Sequence, residues 1–464
     1  MAHDPAASLP GAADTIVALA TPSGRGAVAM IRLSGARAID IVRALGVPPL
    51  GVPPLADRRA TVARLTDPAT GTRLDEALIT WFAAPRSYTG EEVVELGVHG
   101  GTIGPERVLA ACVALGARPA WPGEFTRRAV VHGKLDLLQA EAIADLVDAR
   151  TTAMQQQALA QLDGGLSRRL MALREQLIHL EALIAYDVDF PEEDDGPIPR
   201  ARIDAATVEL EQALAALVAT APRAAMRRDG VLVVLAGAPN AGKSSLFNAL
   251  LGHARAIVTH VPGTTRDAIE ALLDRTPWPL RLVDTAGLRD TQDLVEQLGI
   301  EVSQRYLQEA HVVLACGDSG MAVRAAVDTV VGHTTAPVLA VRTKSDLAST
   351  NVPLGDMSVP LVTVSAETGD GLDTLLHAID QCVSSASPAS DDDARITRER
   401  HRLGITTALD EVRAFRQAWG AAFVPAPIAA SHLLTARDAL SELLGTVDTE
   451  EILGRVFRDF CIGK

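Results

Sequence analysis

VLVVLAGAPNAGKSSLFNAL, residues Val231–Leu250, runs from an apolar segment through a glycine-bearing loop into a helical pattern. Val231–Ala236 is continuously apolar, as expected of a strand buried on both faces of a parallel sheet. Gly237–Ser244 reads G-x-x-x-x-G-K-S, and Ser245 onward reads as helix. Strand, glycine loop and helix form the context that a phosphate loop requires. The glycines let backbone N–H groups converge on phosphate oxygens, and the helix N-terminus adds its dipole. Lys243 would then reach the β- and γ-phosphates, and Ser244 would hold Mg²⁺. The bland alternative is a chance match in a Gly/Ala-rich chain; the flanking strand and helix argue against it.

Around this stretch lie 464 residues, enough for about three domains of ~150 residues each. The chain is 48% hydrophobic and carries a net charge of −15. That balance argues against an extensive basic nucleic-acid surface, though not against a local patch. Cys112, Cys316, Cys382 and Cys461 are scattered without a CxxC pair, which excludes a zinc knuckle and fits a reducing cytoplasm. The first residues read as neither a secretory signal nor a transit peptide, and no apolar run approaches a membrane span.

Upstream, Asp14–Ala120 reads as short strands broken by turns: Thr15–Ala20, Ala27–Leu33, Ala77–Phe82 and Glu91–Gly97, with a helix at Glu106–Leu115 preceded by Pro105. This is an α+β pattern. Lys134–Ala149 reads as a helix. Leu159, Leu162, Leu166, Leu170, Leu173, Leu177 and Leu180 recur at three- and four-residue spacing, one apolar stripe on a long helix that ends at Pro191. The acidic run beside Pro191 reads as a solvated loop rather than a cation site, because it lacks calcium-loop spacing. Ile203–Leu217 is another helix. After the polar linker Ser384–Asp393, helices resume at Ile396–Trp419, Ile428–Leu444 and Thr449–Phe460. Helical segments thus bracket the phosphate-loop region, as expected if an α/β domain is inserted into a helical one.

Downstream motifs sort the nucleotide. Asp284–Gly287 reads DTAG after the apolar run Leu280–Val283. Asp284 would hold Mg²⁺ through water, with Thr285 and Ala286 beside it and the Gly287 N–H meeting the γ-phosphate. Thr264 and Thr265 in GTTRD suit a loop closing over Mg²⁺ and γ-phosphate. Thr343–Asp346, TKSD, follows an apolar run at Val338–Val341. A carboxylate there accepts from N1–H and the 2-amino group of guanine, which adenine does not offer. Ser365 and Ala366, in SAE, would back the base with main-chain N–H groups. With Asn240, Ala241, Gly242, Lys243, Ser244 and Ser245, these pieces resemble the translation-factor class of GTPases. Two departures stand out. The base motif begins with Thr343 where Asn is usual; threonine is shorter, so a contact to guanine or to the phosphate loop is expected to be lost. Leu288 follows DTAG and cannot orient water. Glu296 is one alternative, although on position alone it reads as an exposed helix carboxylate. A monovalent cation held by Asn240 and by oxygens of Thr259, Val261 and Thr264 would supply the charge an arginine finger supplies elsewhere, unless Asn240 merely braces the loop.

Further blocks extend the resemblance to the whole chain: Asp14–Gly26 (DTIVALATPSGRG), Tyr88–Gly101 (YTGEEVVELGVHGG), Pro122–Ala129 (PGEFTRRA), Lys134–Leu146 (KLDLLQAEAIADL), Asp293–Glu301 (DLVEQLGIE), Thr397–His401 (TRERH) and Cys461–Lys464 (CIGK). Together they resemble the MnmE (TrmE) family of tRNA-modification GTPases. The resemblance implies a multidomain chain: an α+β folate-binding domain at 1–130, an all-α helical domain at 131–228 and 385–464, and an inserted α/β P-loop GTPase domain at 229–384. It implies a tetrahydrofolate derivative held at Arg32, Glu95, Lys134 and Lys464, which would otherwise read as surface charges. It implies K⁺ at Asn240, Thr259, Val261 and Thr264, Mg²⁺ at Ser244 and Thr265, and water positioning by Glu296. It further implies a homodimer that works with a flavin-dependent partner in a heterotetramer, adding an aminomethyl-type group at C5 of the wobble uridine of tRNA. Cys461 lies in the tail motif; a catalytic thiolate there is the alternative to an inert tail cysteine, and its expected role is at most a supporting one. Arg395, Arg398, Arg400, Arg402 and Arg413 form a basic stretch that would face tRNA phosphates or simply water. A ribosome-assembly GTPase is the competing reading, but no RNA-binding module is evident after Cys382. A purely scaffolding GTPase is a third, which folate binding would exclude.

Overall fold

Two different burial patterns build two different sheets. The computed structural model describes residues 14–47, 55–189, 199–253, 255–258, 269–275, 277–284, 304–347, 359–385, 396–421, 424–445 and 463. The chain divides into two compact units, Met1–Ala144 with Ser441–Lys464, and Asp145–Leu440.

In the first unit the strands are β1 (Ile16–Leu19), β2 (Val28–Ser34), β3 (Gly46–Val47), β4 (Ala60–Thr66), β5 (Arg73–Phe82), β6 (Val93–His99) and β7 (Arg118–Pro119). Among the described residues they form a 7-stranded sheet of order β3-β4-β5-β6-β2-β1-β7, antiparallel except for β1 with β7. Alternation gives this sheet one apolar face. Ile31 and Leu33 of β2, Leu65, Ile79 and Leu96 pack with Ile41 and Val42 of α1 (Ala38–Leu45) and Val108 of α2 (Ile103–Ala114). Each such side chain stabilises by roughly 1.5–3 kcal/mol. The other face carries Arg32 and Glu95, which are direct partners in the β2–β6 register. Pro105 falls inside the first turn of α2 rather than before it. Then come α3 (Glu124–Val131) and α4 (Leu137–Asp148).

The second unit contains α5 (Thr152–Leu162), α6 (Gly165–Asp189), α7 (Arg200–Val218) and α8 (Ala221–Asp229). The leucine stripe therefore does not lie on one long helix. Gly164, with φ +79°, separates α5 from α6. Leu166, Leu170, Leu173, Leu177 and Leu180 are buried along α6, while Leu159 on α5 is 42% exposed. The spacing runs unbroken through the turn, so periodicity alone does not register the break.

The second sheet comprises β8 (Val231–Ala236), β9 (Arg255–Val258), β10 (Ile269–Asp274), β11 (Leu280–Asp284), β12 (Val312–Gly317), β13 (Val338–Arg342) and β14 (Leu361–Thr363). Its order among the described residues is β14-β13-β12-β8-β11-β10-β9, parallel except where β10 meets β11 and β9. Every residue of β8 is buried, as its continuous apolar run requires. Val233 and Leu235 share a core with Leu246 and Phe247 of α9 (Lys243–His253), and Leu232 and Val234 pack on the opposite side. With β11 and β12 on its two sides, β8 ends at the switch point where open α/β sheets bind ligands. The remaining helices are α10 (Gly320–Val331), α11 (Leu372–Ser385), α12 (Glu399–Gly420) and α13 (Ala426–Leu444). The helix expected at Thr449–Phe460 and the end at Pro191 lie outside the described residues.

Candidate nucleotide site

The loop between β8 and α9 is held against neighbouring backbone. Gly237 has φ +149°, and a Cβ there would stand 2.2 Å from the Cys316 carbonyl oxygen on β12. Lys243 is 5% exposed, and its Nζ donates to the carbonyls of Gly237 and Ala238, each at 2.9 Å. Ser244 Oγ donates to Asp284 Oδ2 at 2.7 Å, at the end of β11. A hydroxyl and a buried carboxylate converging from two elements form a hard-oxygen pair suited to Mg²⁺. Gly237, Asn240, Gly242, Lys243, Ser244 and Ser245 line a cleft of about 1010 Å³, which Ala322, Ala325 and Thr329 of α10 also line. Ala241 is buried beneath it.

The residues after β13 are tied to the same loop. Thr343 is 3% exposed and donates through Oγ1 to Ala241 O at 2.7 Å. Lys344, with φ +54°, sends Nζ to Asn240 O at 2.9 Å and to Asp318 at 3.1 Å. Asp346 Oδ1 accepts from Ser365 Oγ at 2.7 Å, and Ser365 is fully buried next to half-buried Ala366. The sequence reading did not single out Asp318; its only sequence signal is a carboxylate just past the apolar strand β12. Thr259, Val261, Thr264, Thr265, Thr285, Ala286, Gly287 and Glu296 lie outside the described residues.

A second cluster lies on the other face of the first sheet, beside buried Phe125. Arg32 bonds Glu95 at 2.9 Å through Nε and at 2.7 Å through its terminal nitrogen. Its guanidinium lies 5.5 Å from the Tyr88 ring and 5.8 Å from the Phe125 ring, and donates to Gly463 O at 3.4 Å. The tail thus reaches Arg32, although Lys464 and Cys461 themselves are not described. Lys134 takes a separate partner, Pro85 O at 3.1 Å. Tyr88 and Phe125 are the neighbours that sequence reasoning missed.

Below these side chains, Arg128 is 4% exposed and donates to Glu91, Glu124 and Asp14 O. Burial works against the Glu124 carboxylate, but Arg118, the Trp121 N–H and Arg128 outweigh it and hold the group below its usual range. Burial pushes the Cys112 and Cys316 thiols up to about 12, so neither is a reactive thiolate. The basic stretch on α12 is largely paired: Arg398 with Asp145, Arg402 with Glu399, and Arg413 with Glu211 and Asp410. Arg395 is outside the described residues.

A phosphate loop at the switch point, a Ser–Asp pair for a divalent cation and a braced base-reading carboxylate define a P-loop GTPase. Comparison with known proteins carries this further. A family model described as the MnmE helical domain matches residues 137–461, and one described as the GTP-binding protein TrmE N-terminus matches residues 15–134. A tRNA modification GTPase MnmE of Methylobacterium radiotolerans is 44% identical over 456 residues, covering 97% of this chain and 99% of the relative. Its counterpart in Akkermansia muciniphila is 39% identical over 453 residues, covering 97% and 99%. The solved G domain of the T. maritima FeoB iron transporter aligns with 33% of this chain and 99% of its own, at 26% identity and a TM-score of 0.27. The chain belongs to the MnmE family of tRNA modification GTPases.

Proposed function

We propose that this chain is a K⁺-dependent GTP hydrolase that works with a flavin-dependent partner protein. Together they place an aminomethyl-type group at C5 of the wobble uridine of tRNA, the carbon coming from a tetrahydrofolate derivative. The observation that carries this reading is the Arg32–Glu95 cluster with the tail at Gly463, in the same chain as a complete phosphate-loop and base-reading site. The relatives' name, tRNA modification GTPase, supplies the substrate class.

The residues take the following roles. Lys243 exchanges two neutral carbonyls for phosphate oxygens, and loop N–H groups hold the remainder. Ser244, Thr265 and Asp284 hold Mg²⁺, which neutralises developing charge when bound. Asn240, Thr259, Val261 and Thr264 hold K⁺. Asn240 sits in the left-handed region with its carbonyl pinned by Lys344, so the backbone that carries its side chain is fixed. Glu296 orients the attacking water. Glu95, ion-paired to Arg32 beside the Tyr88 and Phe125 rings, offers an acceptor to the pterin edge of a folate; Arg32, Lys134 and Lys464 complete that set as the cations. Cys461 has at most a supporting role.

The domain boundaries follow as 1–130, 131–228 with 385–464, and 229–384. The protein is a cytoplasmic homodimer, joined by its partner in a heterotetramer. Among the described residues no helix is long and apolar enough to cross a membrane. With the α12 arginines largely engaged by carboxylates, the partner carries most of the tRNA phosphate contacts.

The test is deletion of the gene followed by mass spectrometry of wobble nucleosides. Wild type restores the modified uridine, and Glu296→Ala binds GTP but does not restore it. Turnover is expected to collapse when Na⁺ replaces K⁺. Unchanged wobble uridines in the deletion strain refute the tRNA assignment; indifference to the cation refutes the K⁺ assignment alone.

A further inference from the structure

We infer that Thr343 leaves the N7 edge of the purine unread, so that Asp346 alone among the side chains of the 343–346 motif hydrogen-bonds the base. This rests on the guanine reading above and adds to it which edges of the base are held. A hydroxyl has one proton to donate. Thr343 Oγ1 lies 2.7 Å from Ala241 O and 3.3 Å from Gly317 O, and both are acceptors. The proton is therefore committed to the phosphate loop. What remains on Oγ1 is lone pairs, and N7 of guanine is itself an acceptor.

The side chain has no freedom to turn elsewhere. A Cβ at Gly242 would lie 3.0 Å from Thr343 Oγ1 and 3.1 Å from Thr343 Cβ, so the loop backbone is packed onto it. Its own N–H is taken by Gly317 O at 2.9 Å, and its branched Cβ is stiff. Lys344 directs two of its three Nζ protons to Asn240 O and Asp318. On the opposite edge of the base, Asp346 is aimed by the Ser365 hydroxyl and keeps acceptor capacity for N1–H and the 2-amino group. An asparagine at 343 has two amide protons, one for Ala241 O and one for N7. The threonine keeps the brace and forgoes the second contact.

The experiment is competition of GDP and 7-deaza-GDP, in which a C–H replaces N7, against a fluorescent GDP on the full-length protein at fixed Mg²⁺. Wild type is expected to bind the two within about twofold. Thr343→Asn is expected to favour GDP over the deaza analogue by about fivefold, the worth of one hydrogen bond. Thr343→Val loses only the brace and weakens both nucleotides by the same factor. Discrimination against 7-deaza-GDP by wild type, or an unchanged ratio in Thr343→Asn, overturns the inference; the wild-type ratio decides it even where a variant does not fold. ADP is the control. Equal binding of ADP and GDP removes the guanine reading and this inference together, whereas discrimination against 7-deaza-GDP in a protein that still prefers GDP removes the inference alone.

Discussion

Replacing Gly237 by alanine is expected to disable nucleotide binding in a chain that remains folded. The new Cβ would stand 2.2 Å from the Cys316 carbonyl oxygen and 3.2 Å from its carbon, where ordinary contact begins at 3.4 Å. The separation must grow by about 1 Å, and the strand side does not yield. Cys316 is paired to Val341 of β13, and β8 is paired to β12 up to Ala236–Ala315, immediately before the loop. The loop moves instead, carrying with it the carbonyls that position Lys243. Misplacement by about 1 Å costs roughly 100-fold where geometry matters, or ~2.7 kcal/mol. The φ of +149° adds strain of roughly 1–3 kcal/mol for any residue with a Cβ. The assay is titration of a fluorescent GDP into wild type, Gly237→Ala and Gly332→Ala, with far-UV circular dichroism to establish folding. Gly332 is the control, since nothing lies within 4 Å of a Cβ added there. Binding by Gly237→Ala within about threefold of wild type, under 1 kcal/mol, would refute the reasoning.

Three further outcomes are expected. Ser365→Ala removes the hydroxyl that aims Asp346, and calorimetry should find GDP bound at least about 10-fold more weakly, the lower end for a hydrogen bond to a charged group. Arg128→Met leaves Glu91 and Glu124 without their shared partner, and differential scanning calorimetry should show the affected transition destabilised by about 3–5 kcal/mol; a change below ~1 kcal/mol contradicts the buried network. His311 is held below its usual pKa by burial and by Arg281, against Asp229, and its Nδ1 accepts the Leu232 N–H at 2.8 Å. Because the folded value is lowered, the unfolded chain binds the extra proton first. Stability therefore falls as pH drops through about 6.5 and levels off below the folded value, with a slope of at most ~1.4 kcal/mol per pH unit. Melting His311→Asn across that range should give a flatter curve, and an identical slope would exclude His311 as its source.

The nucleotide site was legible because its chemistry is local in sequence. Gly237–Ser244 carries strand, loop and helix within a short span, and its partners Asp284 and Asp346 each follow an apolar strand that periodicity identifies. The folate-type cluster was not legible from pattern. Arg32 and Glu95 are far apart along the chain and meet only because β2 pairs with β6 in one register. Resemblance located them; residue spacing did not. The aromatic walls were invisible for the same reason, since Tyr88 and Phe125 belong to different elements that converge on Arg32. α1, β4, α3 and α8 also escaped the sequence reading. The three helices are short, and α3 follows Gly123 with no side-chain cap to announce it. The α5–α6 break escaped because the stripe keeps its period across Gly164.

The local legibility of the nucleotide site has a mechanical counterpart. Phosphate binding and base reading are usually treated as separate terms, one set by the loop after β8 and the other by the residues after β13. Here two hydrogen bonds join those segments directly, Thr343 Oγ1 to Ala241 O and Lys344 Nζ to Asn240 O, and Gly242 is packed onto Thr343. Both acceptors are carbonyls of the loop whose N–H groups face the phosphates. Pulling on one end of a peptide unit reorients the other, because the unit is planar. A base that seats Asp346 therefore also bears on the phosphate loop, through the turn that carries Thr343 and Lys344, and a misplaced base loosens it. Contacts that share partners in this way are not additive. Guanine selectivity in this chain is consequently expressed in how well the triphosphate is held, as well as in the contacts of Asp346 with the base.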